Sequence, residues 1–302
     1  MPLVERAPAK INLGLHVLRK RADGYHDVET VLHRIDWADT VTARPADALT
    51  MTCSDPALPT DADNLCLQAA KALRAAFDVS AGAELHLEKR VPYGAGLGGG
   101  SSDAAATLRL LARLWDLDAS AQRLHPLAAE IGADVPFFLA DAPAAYATGR
   151  GDELTMLHEA ATPGTGGVPD GAVPYRLPFP VVVAVPPVEV ATPDAYARVT
   201  PRDDDRPRLP GVVRSNDLAR WQADLANDFE APIAAAHPAV AAERDWLRDA
   251  GAAYVSLSGS GGAVYGVFEQ PERAERALDD GRERTARVHL TARNDAVLRP
   301  ST

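Results

Sequence analysis

The sequence predicts an α+β protein in two parts, and three observations carry that prediction. Segments that alternate apolar and polar residues at period two recur between segments with a helical stripe. A Gly/Pro-rich run at 158–177 divides the 302 residues, a length that suits one large or two ordinary domains. Beyond that run the elements follow in the order β-α-β-β-α-β, the split βαβ pattern of a ferredoxin-like domain.

Taken in order, residues 9–18 (AKINLGLHVL) alternate. Ala9, Ile11, Leu13, Leu15 and Val17 face one way and Lys10, Asn12, Gly14 and His16 the other, as in a half-buried strand. RKRADGYHDVE holds a Gly turn and leads to a second strand near 28–35. DADNLCLQAAKALRAAF reads as a helix capped near Asp61 or Asp63, with Leu65, Ala69, Leu73 and Ala76 toward the core. AELHLEKRV is a third alternating strand. It runs into VPYGAGLGGGSSDAAATLRLL, where a glycine loop meets a helix at about 102–115 with the stripe Ala104, Leu108, Leu111 and Trp115. After the Gly/Pro-rich run come a strand (VVVAV), helices, the strands AYVSLS and AVYGVF, a helix opening at Pro271, and the strand RVHLTA. The domains expected are therefore 1–157 and 178–302, joined by a linker or long loop at 158–177.

Composition excludes several classes of function. With 46% hydrophobic and 24% charged residues the chain can build and solubilise a core. A net charge of −11 argues against a general nucleic-acid binder, which needs basic surface. No apolar run reaches the ~18 residues of a membrane span. The start MPLVERAPAKINLGL lacks the apolar core of a signal peptide. Two cysteines, Cys53 and Cys66, make neither a disulfide framework nor a metal site, so a reduced cytoplasm is expected. The lysines are only Lys10, Lys20, Lys71 and Lys89, which makes each worth asking about.

Five of the seven residues from Gly94 to Gly100 are glycine. Glycine admits positive φ and close backbone approach, and successive N–H groups then form an anion-binding concavity. A helix N-terminus adds free N–H groups and the positive end of its dipole. The loop is suited to phosphate; a tight strand-to-helix turn would need fewer glycines. Gly94, Gly96 and Gly99 literally match G-x-G-x-x-G, but the strand before them is charged and carries Pro92, and no acidic residue closes a second buried strand downstream. No lysine precedes Ser101 and Ser102, so the Walker pattern fails as well.

PAKINLGL, RADGYH, VPYGAGLGGGSSDAA, GADVPFFL and LSGSGGAVYGVF, in that order and spacing, resemble the GHMP kinase superfamily. RADGYH beside PAKINL resembles in particular the branch acting on a diphosphocytidyl methylerythritol. The resemblance covers most of the chain. It implies an N-terminal domain like the second domain of ribosomal protein S5, a ferredoxin-like C-terminal domain, and an active site between them. It implies ATP as phosphoryl donor, with Mg²⁺ accompanying it, and a cytidylyl small molecule as acceptor at its 2-hydroxyl, a step in non-mevalonate isoprenoid biosynthesis.

Site residues follow from the same match. Lys10 and Asn12 share the polar face of their strand, which alone fits a solvent-exposed face; the matching family positions hold a catalytic lysine and a substrate-binding asparagine. Asp134, between Gly132 and Pro136, alone fits a turn aspartate; its match is the base that takes a hydroxyl proton. Tyr25 and His26 could be packed loop aromatics; their matches hold cytosine, tyrosine by stacking and histidine by hydrogen bonding. Thr192 and Tyr196 match the residues that close over the cytidine. Lys89 matches a position near the adenine, and Pro92, Tyr93, Gly94, Ala95, Gly96, Leu97, Gly98, Gly99, Gly100, Ser101 and Ser102 form the nucleotide loop. The protein ligand of Mg²⁺ is left open; Ser101 and Asp103 are candidates by proximity only, and an aspartate at that helix start would otherwise repel phosphate. Ser258–Gly262 could be a hairpin or a support for the phosphate site, and NDFE at 227–230 matches a family motif. A homoserine or mevalonate kinase would share the loops but has no use for a cytosine pocket. A non-catalytic nucleotide binder would lose Lys10 or Asp134.

Overall fold

The computed structural model describes residues 1–140, 142–159, 172–284 and 287–291. Its first half is organised by two long antiparallel strands, β1 (Leu3–Lys20) and β2 (His26–Ala46). Both run well beyond the alternating stretches that announce them. β3 (Leu49–Cys53), α1 (Leu65–Ala76), β4 (Gly82–Glu88) and α2 (Gly99–Leu114) follow, then α3 (Ala121–Ile131), α4 (Val135–Leu139), β5 (Ala144–Thr148) and β6 (Glu153–Met156). The sheet order is β3-β4-β2-β5-β6, with β1 on the other edge of β2. The α1 cap is Asn64, whose side chain accepts from the Cys66 N–H, rather than Asp61 or Asp63. Asn64 wins because its oxygen reaches the second amide of the helix from an extended backbone.

The second half has β7 (Val181–Val185), then α5 (Thr192–Arg198), α6 (Leu209–Arg214), α7 (Leu218–Asp224), α8 (Glu230–Ala236) and α9 (Pro238–Asp249). It closes with β8 (Tyr254–Leu257), β9 (Val264–Val267), α10 (Pro271–Glu283) and β10 (Arg287–Thr291). The antiparallel sheet order β10-β7-β9-β8 is the ferredoxin-like arrangement that the strand order implies. Most of the run at 158–177, residues 160–171, lies outside the described residues; at its base His158 bridges Pro174 and the Tyr175 N–H donates to Leu157.

Three cores hold these layers. Helices α1 to α4 cover one face of the first sheet through Leu73, Leu108, Leu111, Phe137 and Phe138. The middle core joins the two halves, with Ile11, Leu13, Val31 and Ile35 meeting Val181, Val183, Trp221, Tyr254 and Tyr265. The outer core packs Phe229, Ile233, Trp246 and Leu247 under the second sheet.

β1 corrects the sequence reading in one respect. It is not half-buried: from Ala9 to Val17 every residue is buried, and Lys10 and Asn12 are only 4% and 3% exposed. The polar face is covered by protein because the glycine loop lies against it, the Lys10 N–H donating to Leu97. Gly14, at φ +77°, marks a register shift; beyond it Leu15 and Val17 join the outer core instead of the middle one.

Candidate active site

The polar groups of β1 converge with the glycine loop and the start of α4. Lys10 Nζ donates to Asn12 Oδ1 at 2.6 Å and to the Gly96 carbonyl at 2.9 Å, and lies 3.4 Å from Asp134 Oδ2. An ammonium has three protons, and three oxygens surround this one. Asp134 occupies the N-cap position of α4, yet its side chain caps nothing. Its carboxylate is therefore available, and its side chain is 31% exposed where Lys10 is buried. A charged pair with the cation held and the anion open to solvent can receive a proton from an incoming hydroxyl.

The glycine loop is built for close approach. Gly94, Gly96 and Gly98 have φ of +67°, +85° and +68°. Gly98 is the N-cap of α2 and supplies no side-chain cap, so the first N–H groups of a long helix face the loop without a side-chain partner. A Cβ on Gly98 would come 3.0 Å from the Phe138 ring and 3.1 Å from Lys10 Cε, which places the helix start beside the Lys10–Asp134 pair. Val91, Pro92, Ala95, Leu97 and Gly99 are buried supports, whereas Tyr93, Gly94 and Gly100 are exposed and Ser101 half-buried. The Ser102 hydroxyl is fully buried and, among the described residues, has no hydrogen-bond partner.

The second glycine loop supports the first. The Ser258 hydroxyl donates to the Gly96 carbonyl at 3.0 Å and the Ala263 N–H to Ala95 at 2.9 Å. Asn227, a residue whose role the sequence left open, ties this loop down: Nδ2 donates to Leu257 and Gly259, and Oδ1 accepts from the Phe229 N–H. Asp228 beside it accepts from the Val17 N–H and from Arg206. Only the adjacency of NDFE to a buried aromatic hints at this in the sequence.

Lys89 and Asp103 take unexpected places. Lys89 Nζ is bound between Asp39 Oδ2 at 2.5 Å and Asp103 Oδ2 at 2.9 Å, all three side chains being buried. Asp39 also accepts from the Arg90 and Val91 N–H groups, which fixes the approach to the glycine loop. The Lys89 ammonium is thus committed to carboxylates. Asp103 is turned inward, and the lysine offsets the charge that would otherwise repel phosphate at the helix start. One ammonium cannot balance two carboxylates; burial first, then the charge of Asp39, pushes Asp103 up to about 7. Asp103 is a poor magnesium ligand for the same reason, since one oxygen is paired and the group is 2% exposed.

At the other end of β1, His26 and Tyr196 stack with ring centroids 4.6 Å apart and planes 20° from parallel, and Tyr196 meets the Phe229 edge. Burial, with Lys20 nearby, holds His26 below the usual imidazole range. Burial, with the Asp134 charge adding, raises Tyr196 to about 12. Tyr25 is not in that stack: it is 59% exposed with the Arg150 guanidinium 5.3 Å above its ring. Thr192 opens α5 and is exposed. Among the described residues no group of three or more His, Cys, Asp or Glu side chains could hold a metal ion, and no helix is long and apolar enough to cross a membrane.

The chain is similar to known proteins over most of its length. The family model for the GHMP kinases N terminal domain matches residues 64–147, and that for the GHMP kinases C terminal matches 210–286. The 4-diphosphocytidyl-2-C-methyl-D-erythritol kinase of Salinibacter ruber is 64% identical over 290 residues, covering 96% of this chain and 98% of that protein. The enzyme of that name from Chlorobium limicola is 42% identical over 304 residues, covering 99% and 100%. A crystal structure of 4-(cytidine 5'-diphospho)-2C-methyl-D-erythritol kinase is similar with a TM-score of 0.77 at 34% identity, covering 96% and 98%. A homoserine kinase structure from Cytophaga hutchinsonii shares the fold, with a TM-score of 0.71 at 19% identity, covering 96% and 94%.

Proposed function

Because the chain belongs to the GHMP kinase family, we propose that it transfers the γ-phosphoryl group of ATP to the 2-hydroxyl of 4-diphosphocytidyl-2-C-methyl-D-erythritol. The products are the 2-phosphate and ADP, in non-mevalonate isoprenoid biosynthesis in the cytoplasm. The nucleotide-binding half is residues 1–157 and the ferredoxin-like half 178–302. The observation that carries the reading is the Lys10–Asp134 pair, 3.4 Å apart at the mouth of the glycine loop.

The residues divide the work as follows. Loop 92–102 and the N-terminus of α2 hold the nucleotide phosphates through backbone N–H groups. Asp134 takes the proton of the acceptor hydroxyl. Lys10, held by Asn12 and the Gly96 carbonyl, stabilises the developing alkoxide and the transferring phosphoryl oxygens. Tyr25, His26, Thr192 and Tyr196 bind the cytidylyl end. Burial, with Lys20 nearby, favours the neutral form of His26, which suits an uncharged cytosine.

Bound with ATP, Mg²⁺ would supply positive charge that offsets the charge developing on the transferring phosphoryl group. The oxygens present fit a metal held chiefly by ATP and water, as Mg²⁺ often is. Ser101 and the unpartnered Ser102 hydroxyl are the side-chain oxygens at the helix start that could reach it. The test is a panel of acceptors offered with ATP: the cytidylyl alcohol, homoserine and mevalonate. ADP release with the first alone supports the reading, and release with either of the others in its place removes it.

A further inference from the structure

Asn12 is buried, and the sense of its side-chain amide is fixed by a neighbour on β2. The Thr30 hydroxyl lies 2.6 Å from the Gly14 carbonyl, which can only accept. The single hydroxyl proton therefore points at Gly14. The hydroxyl lone pairs are left to accept from Asn12 Nδ2 at 3.0 Å. With Nδ2 committed to Thr30, the amide presents Oδ1 to Lys10 Nζ, at 2.6 Å. The Gly14 carbonyl is free for this role because Gly14 sits at the register shift in β1, at φ +77°.

We propose that Thr30 is a positioning residue for phosphoryl transfer, its hydroxyl setting the sense of the Asn12 amide and thereby fixing the Lys10 ammonium between the Gly96 carbonyl and Asp134. The inference rests on the roles of Lys10 and Asp134 given above. All three members of the relay are buried, Thr30 at 3%, Asn12 at 3% and Lys10 at 4% exposed, so water cannot substitute for a missing partner. Without the hydroxyl, one orientation of the amide buries an NH₂ group with no acceptor, and the other turns that NH₂ group onto the ammonium. Either way the cation loses its fixed position beside the base. Among the described residues no hydrogen bond joins the Thr30 side chain to Lys10 or Asp134, so it acts through Asn12.

The test is steady-state kinetics on the intact enzyme with ATP and the cytidylyl acceptor. Thr30→Val keeps the shape and the β-branched preference of the strand and removes the hydroxyl. It should lower kcat by roughly 10–100-fold, the scale of a small misplacement of a reacting group, while KM for ATP changes less than about 3-fold. Thr30→Ser restores the hydroxyl and should return kcat to within about 3-fold of the parent, and Thr30→Ala should behave like the valine variant. In a Lys10→Met background, Thr30→Val should cost no more than about 2-fold further, because residues acting as a unit are not additive. A normal kcat in folded Thr30→Val or Thr30→Ala overturns the proposal, as does a serine variant no better than valine, or full multiplication of the two losses. Near-normal turnover in Lys10→Met alone would overturn the reading of the site and this inference with it. Loss in Lys10→Met beside normal turnover in Thr30→Val would overturn the inference alone.

Discussion

His26 and Tyr196 stack face to face at 4.6 Å, although one closes the first hairpin and the other lies on a helix of the second half. In the proposed reading the pocket for the cytidylyl end is therefore shared between the two halves of the molecule. Tyr196→Leu removes the ring and keeps apolar volume. It should raise KM for the cytidylyl acceptor by about 5- to 150-fold, the equivalent of the ~1–3 kcal/mol that base stacking contributes elsewhere. KM for ATP should stay within a few-fold. Equal losses for both substrates, measured by varying each at saturation with the other, would remove the pocket assignment.

The two glycine loops are packed too closely for a side chain at Gly96. A Cβ on Gly96 would come within 2.1 Å of the Ser258 carbonyl, at φ +85°. Gly96→Val should therefore weaken ATP binding and also lower the melting temperature, because it pushes apart the loops that join the halves. Gly100 meets nothing nearer than Leu65 Cδ1 at 3.5 Å, and it lies in helical backbone. Gly100→Ala should fold normally. Calorimetry and nucleotide titration of both variants check this; a stable Gly96→Val with unchanged ATP affinity would show that the loop is not the cradle.

Much of this was legible in the sequence, for physical reasons. Alternation in AKINLGLHVL announced β1, and the glycine run before a helical stripe announced the α2 N-terminus. What stayed hidden depends on which distant surface covers a face. The polar side of β1 reads as exposed because nothing local says that the glycine loop will lie on it. Asp39 and Asp103 read as an ordinary strand-face charge and an awkward helix-start charge; only the fold brings Lys89 between them. Thr30 reads as a strand former, and its hydroxyl acquires meaning only through the shift at Gly14.

The buried Asp39–Lys89–Asp103 group makes an asymmetric prediction. Asp39 receives two backbone N–H groups and the ammonium, while Asp103 shares only the ammonium and has one oxygen without a partner. Asp39→Asn should destabilise the protein by about 3–5 kcal/mol, the usual result of breaking a buried pair, and should raise KM for ATP as the loop loosens. Asp103→Asn mimics the protonated form and should be far milder near neutral pH. Urea unfolding at pH 7 compares them; equal losses would contradict the unequal bonding of the two carboxylates.

Two buried groups pull the pH dependence of stability in opposite directions. Burial lowers His33 from 6.5 to about 4, so between those values the unfolded chain binds a proton that the folded chain refuses. That contribution is complete above 6.5 and is lost as pH falls toward 4. Asp103, raised from 3.8 to about 7, holds a proton in the folded state that the unfolded chain releases, so its contribution falls as pH rises through that window. The two contributions have opposite sign and overlap between pH 4 and 6.5. Asp103→Asn should expose the histidine, giving stability that climbs steeply from pH 4 to 6.5. His33→Gln should give the reverse slope. Urea unfolding in steps across that range decides; parallel curves for the parent and both variants would contradict the two shifts.

In the proposed reaction Asp134 removes the acceptor proton beside a fixed Lys10 ammonium. Its carboxylate caps no helix, is partly exposed and lies 3.4 Å from Lys10 Nζ. Asp134→Asn keeps size and polarity and deletes the proton acceptor. The most direct measurement is kcat of that variant with saturating ATP and cytidylyl alcohol, taken with its ATP affinity. If Asp134 takes the proton, kcat should fall by ~10²–10⁴-fold with ATP affinity within a few-fold of the parent. Turnover near that of the parent would contradict it.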